Sequence, residues 1–235
     1  MEYFPFSAYT SGGMYSKGPF TLGPAHPFVF NSNLETGLPS SFYSTYAGSG
    51  EEGGSKKLTQ IWHKEPLFFN NLLWVQPFGV EKIKELLSEF LLNWRKGTTI
   101  LSGLKGKDRY TSSRIDFETG LAVFVECTVA TALNLTAFYQ TRDELFASTQ
   151  NIDSSLEKYL DRLDEIGRQE MENSRRALTI AEKYPILGYA YTYGSTSMSA
   201  QMIREKIEHL QNLLSVELPE YKREYIFHVS FKHQP

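Results

Sequence analysis

Two spacings of apolar residues alternate along this chain, and each names a different element. In VEKIKELLSEFLLNWR, residues 80–95, Ile83, Leu86, Leu87, Phe90, Leu91 and Trp94 recur every three or four positions. That spacing puts one apolar stripe on one face of a helix, and Gly97 reads as its stop. Residues 152–183 carry the same period in Leu156, Leu160, Leu163, Ile166, Ala177 and Ala181, opposite a densely charged face. Ser154-Ser155-Leu156-Glu157 has the form of a capping box, with Asp153 a competing cap, and Pro185 closes the helix. At ~1.5 Å per residue this helix spans about 45 Å, enough to project from a domain or pair with another helix. A third helix is predicted over 199–214 from Met202, Ile203, Ile207, Leu210 and Leu214, with Leu218-Pro219 ending it.

The other spacing is two. From Leu121 to Tyr139 every odd position except Thr131 is apolar, while Glu126, Thr128, Asn134 and Thr136 fall on even positions. Strict alternation predicts a strand with one buried face. Thr98–Leu104 reads as a strand before a GLKGKD turn, Arg109–Phe117 as a second, and Glu118-Thr119-Gly120 as the hairpin turn into 121–139. Residues 223–231, REYIFHVSF, alternate again as a terminal strand. The expected fold is α+β. An antiparallel sheet is built on a long hairpin (about 98–139) with a C-terminal strand, packed by helices 80–95, 152–183 and 199–214.

Residues 1–57 follow neither period. They hold eleven Tyr and Phe among many Gly, Pro and Ser, and end in the linker-like GSGEEGGS at 48–55. Disordered tails are poor in aromatics, so this reads as an extended arm that lies on its own domain or on a neighbouring subunit. Residues 58–235 read as a single α+β domain.

Composition narrows the classes. The 235 residues are 41% hydrophobic and 22% charged, with net charge −3. A core is available without metal or disulfide, and no overall charge draws the chain to nucleic acid. The single cysteine, Cys127, precludes an intrachain disulfide. The sequence shows neither a membrane-length apolar run nor a basic-then-apolar signal peptide. A cytoplasmic or particle-incorporated protein without cofactor is expected.

Candidate chemistry centres on IDFETGLAVFVECT. Asp116 and Glu126, on adjacent expected strands, offer hard oxygen ligands to a divalent metal. This order resembles the D…E-x-K core of the PD-(D/E)XK nucleases. The resemblance implies that Asp116 and Glu126 bind metal, and Thr128 stands at the position of the family's lysine. The plainer reading places both carboxylates on the wet face of the sheet. His63 lies near Glu65 without a partner at ligand spacing. His228 and His233 point to opposite faces of their strand, and His26 and His209 are isolated. Lys105, Lys107 and Arg109 with two glycines form a loop able to approach phosphate, but without P-loop order. Cys127 reads as a small buried hydrophobe. No Ser-His-Asp or Cys-His order stands out.

Three function classes follow. The arm, the long hairpin and the long helix suit a structural or assembly subunit, homo-oligomeric or joined to other protein subunits in a tail-like or scaffold complex. The carboxylate pair suits a metal-dependent nuclease. A Ser/Thr-rich hairpin suits a membrane-active or ligand-binding β protein.

Overall fold

The stretch expected to form a β-hairpin is helical. The computed structural model describes residues 8–9, 16–17, 23–30, 75, 78–148, 156–188 and 199–224. Helix α1 spans Val80–Ser102, α2 Arg109–Ser148, α3 Leu156–Lys183 and α4 Ala200–Asn212. Among the described residues the only extended pairing is a two-residue antiparallel contact of Ala8–Tyr9 with Ser16–Lys17. No sheet is built on residues 98–139, so the α+β architecture and its hairpin are replaced by packed helices. The expected terminal strand falls almost wholly outside the described residues, and its first two, Arg223 and Glu224, are helical.

The physical reason lies in how α2 is covered. Phe124, Glu126, Cys127, Thr128 and Val129 are all buried, since α1, α3 and the segment Gly23–Phe30 each take a side of this helix. A helix enclosed on most sides carries no 3.6-residue stripe, and its Val and Thr content imitates a strand. Those threonines fit because Thr128, Thr136 and Thr141 donate their hydroxyls to the carbonyls of Phe124, Ala132 and Ala137, one turn back. Gly120 makes no turn. It lies inside α2, where a Cβ would sit 2.6 Å from the Tyr184 ring. Contrary to the expectation that no apolar run is of membrane length, α2 is long and apolar enough to cross a membrane, with 56% of its apolar window buried within the fold.

Side-chain partners run in opposite order along successive helices. Lys84 meets Gln140 while Arg95 meets Glu126; Asn134 meets Glu170 while Asp116 meets Lys183; Lys222 meets Glu157 while Arg204 meets Glu182. Consecutive helices are therefore antiparallel, as their connections favour. The core joins Ile83, Leu87 and Leu91 of α1 to Leu135, Phe138 and Leu145 of α2 and to Leu160, Leu163 and Ile166 of α3.

The helix expected over 80–95 continues seven residues further, through Gly97, which costs α1 only about 1 kcal/mol. The helix expected over 152–183 is α3; its proposed caps, Asp153 and Ser154, lie outside the described residues. In α4, Ser199 caps the first turn by accepting from the Met202 N–H at 3.2 Å. Pro219 does not end this helix. One π-turn, Leu213–Glu217, precedes it, and helical residues continue to 224. A widened turn relieves the clash a proline ring makes with the carbonyl four residues back.

Gly23–Phe30 is an irregular segment buried among α2, α3 and α4. Phe28 packs on Phe138 at 5.0 Å, and Phe30 meets Phe146 and Tyr221. Gly23 starts it with a φ of 58°, the left-handed conformation that glycine adopts without strain.

Candidate functional site

A buried irregular segment has no helical ladder for its peptide groups, so side chains must meet them. Lys206 of α4 donates to the Pro24 carbonyl at 2.9 Å. His209 Nε2 lies 2.6 Å from the Phe28 carbonyl. A carbonyl only accepts, so Nε2 carries the proton. Arg142 Nη1 donates to the Val29 carbonyl at 2.7 Å, and the Val29 N–H donates to the Tyr139 hydroxyl at 3.3 Å. Burial pushes the Tyr139 phenol up to about 12, so it stays protonated.

Around Lys206 the network closes on one carboxylate. Glu170 of α3 and Lys206 are both fully buried and form an ion pair. Thr131 donates to Glu170 at 2.6 Å and Asn134 at 2.8 Å. Asn173 ties the same group to the Cys127 carbonyl at 2.9 Å and the Thr131 hydroxyl at 3.0 Å. Burial pulls the Lys206 amine below its ordinary value, against the pull of Glu170. The arrangement satisfies a buried charge and holds α2, α3, α4 and the N-terminal segment together.

The residues expected to hold metal are placed apart. Asp116 and Glu126 lie ten residues apart on one helix, about 15 Å along its axis, rather than on facing strands. Asp116 accepts from Lys183 at 2.6 Å and from the Tyr184 hydroxyl. The lysine and tyrosine hold its carboxyl below the usual range. Glu126 receives Arg95 at 2.9 Å and both Nη atoms of Arg176, at 2.6 and 3.2 Å. Burial raises the Glu126 carboxyl, but the two guanidiniums outweigh it and leave it below its ordinary value. Thr128 is buried on the Phe124 carbonyl. Among the described residues no three His, Cys, Asp or Glu gather as metal ligands.

His63, Glu65, His228 and His233 lie outside the described residues. His26 and Cys127 are buried, and burial raises the Cys127 thiol to about 12. The network residues missed above had a signal in the sequence. Glu170 and Ser174 interrupt the α3 stripe Leu163–Ile166–Ala177–Ala181, and Lys206 sits between Ile203 and Leu210 on the inner face of α4. A charge on an apolar stripe is informative because burying it demands a partner.

The surface shows the reverse pattern. A groove of about 630 Å³ runs along α1, lined by Leu86, Phe90, Trp94, Gly97, Leu101 and Ala122, among others. Phe90 and Trp94 stack at 5.3 Å, and the Trp94 indole N–H anchors to the Ala122 carbonyl at 2.8 Å. No atom lies within 4 Å of where a Gly97 Cβ would be. At the α1–α2 connection Ile100, Leu104 and Tyr110 are 71%, 52% and 76% exposed. Lys105, Lys107 and Arg109 are exposed beside them. The expected phosphate-approaching loop is thus the tip of a helical hairpin.

The chain matches no protein family, no curated protein and no solved structure.

Proposed function

We propose that the protein is a self-associating assembly subunit in which α1 packs antiparallel against α1 of a second copy. The observation that carries this reading is the α1 groove, an open apolar trough with a rigid aromatic floor. Gly97 keeps it open where a side chain would fill it. A helix laid in an apolar groove is a common docking mode. Charge supports a second copy as the occupant. Glu89 and Lys96 lie on either side of Asn93 along exposed parts of α1. An antiparallel copy centred near Asn93 sets Glu89 of each chain opposite Lys96 of the other.

Light scattering over a concentration series tests this. The full chain gives a dimer mass. Glu89→Lys alone and Lys96→Glu alone weaken the dimer, and the double swap restores it, because both exchanged pairs regain opposite charges. A monomer at every concentration, or single swaps without effect, overturns the reading.

A further inference from the structure

We propose that the α1–α2 tip binds anionic lipid surfaces. Leu101 to Arg114 carries Lys105, Lys107, Arg109 and Arg114 against one carboxylate, Asp108, in a chain whose net charge is −3. Asp108 is already engaged. It accepts the Thr111 N–H at 2.8 Å and its hydroxyl at 3.1 Å, capping α2. Those bonds, the backbone one foremost, hold its carboxyl below the usual range. Arg114 approaches Glu118 at 3.9 Å. Lys105, Lys107 and Arg109 make no ion pair among the described residues.

Among the described residues the tip also reaches past the end of α3. Asp116 and Phe117 of α2 meet Lys183 and Tyr184 at the very end of α3. The seven residues Arg109–Ile115 therefore extend about 10 Å past that end. Gly106 permits the connection to lie along this extension, since a Cβ there would fall 2.3 Å from the Ser112 nitrogen.

The mixture of side chains selects the partner. A nucleic-acid surface rewards cations and stacking rings. It gives no return for exposing Ile100 and Leu104, aliphatic side chains on the same tip. A membrane interface accommodates all of them. Aliphatic groups enter the acyl boundary, the tyrosine sits at headgroup depth, and lysine and arginine reach acidic headgroups through flexible stems.

The tip adjoins the α1 groove, whose lining ends at Leu101, and the two readings fail differently. An antiparallel dimer points its tips in opposite directions, so a dimer that binds lipid also clusters vesicles.

The test is co-sedimentation of the full chain with vesicles of phosphatidylcholine alone and of phosphatidylcholine with phosphatidylserine. Binding is expected to the acidic vesicles only and to fall with added salt. Lys105→Glu with Lys107→Glu is expected to weaken it by about fivefold or more for each charge. Ile100→Asp with Leu104→Asp is expected to weaken it as well. A polarity-sensitive dye on Leu104→Cys shifts to the blue on acidic vesicles and one on Glu144→Cys, at the far end of α2, does not; buried Cys127 does not compete for label. Circular dichroism confirms that these surface variants stay helical. Equal binding to neutral vesicles, binding that neither double variant changes, or capture of single-stranded DNA without vesicle binding overturns the proposal. Binding without clustering supports the tip and overturns the antiparallel dimer.

Discussion

The seam between α2 and α3 and the tip between α1 and α2 invert each other. The seam hides what is usually exposed: Glu170, Lys206, Asn134 and Thr131 are largely withdrawn from water and bonded to one another. The tip shows what is usually hidden: Ile100, Leu104 and Tyr110 stand in solvent beside Lys105, Lys107 and Arg109, which make no ion pair among the described residues. The difference separates structure from function. A buried polar group whose every partner is internal has its interactions already made. An exposed apolar group beside an uncompensated charge still has interactions to make.

Substitutions at the two regions should therefore differ in kind. The largest loss of stability is expected from Glu170→Ala, about 3–5 kcal/mol, because Lys206 is then left buried without its counter-charge. Glu170→Leu combined with Lys206→Met is expected to cost much less than the single changes predict together. Urea denaturation of the four proteins gives the coupling. If the single change costs under about 1 kcal/mol, the seam is not what holds the helices together.

His209→Ala should cost about 1–3 kcal/mol, since the Phe28 carbonyl loses its donor inside the core. The same denaturation measurement checks it. A loss in this range shows that His209 helps tie α4 to the N-terminal segment, alongside the Lys206–Pro24 bond.

Glu126 contributes a smaller, pH-dependent part. Its folded pKa lies below its ordinary value of 4.5, where Arg176 and Arg95 together prevail over burial. Its stabilisation is therefore complete above the ordinary value and is lost as pH falls through the lowered, folded one. Thermal unfolding followed from neutral to acidic pH should show this acid-side loss reduced in Glu126→Gln. At neutral pH that variant should be about 1 kcal/mol less stable.

At the other region the expected effects on stability are near zero or favourable. Leu104→Asp and Lys107→Glu should change unfolding by less than about 0.5 kcal/mol. Gly97→Ala should stabilise α1 by up to about 1 kcal/mol, since the new methyl meets no atom and helix propensity rises. A destabilising Gly97→Ala would mean the groove is already filled by this chain.

The helices with a single wet face were legible in the sequence. Residues 80–95, 152–183 and 199–214 each place an apolar stripe against a polar one, and α1, α3 and α4 follow them, with α1 and the helical run that continues α4 passing the expected ends. The buried helix was not legible. In Leu121–Tyr139, Val on odd positions with Thr and Ala on both parities satisfies a strand pattern, while a helix wrapped by its neighbours leaves no period to read. Gly120, read as a turn, is a packing gap for Tyr184. The same misreading assembled the carboxylate pair. On facing strands Asp116 and Glu126 would share a metal, but on one helix each turns to a different cation. The loop of Lys105, Lys107 and Arg109 was visible as a basic feature. Its apolar companions were not, because Thr98–Leu104 read as a strand, whereas Ile100 at the end of α1 and Leu104 just after it lie in solvent.

The central proposal is that copies of this chain associate through the α1 groove. Sedimentation equilibrium of Gly97→Leu beside the unaltered chain tests it most directly, because position 97 lines the groove and has open space at its Cβ. The account predicts a dimer mass for the unaltered chain, and for Gly97→Leu a monomer mass with no loss of thermal stability. A dimer that persists in Gly97→Leu, or an unaltered chain that sediments as a monomer at every concentration, would contradict it.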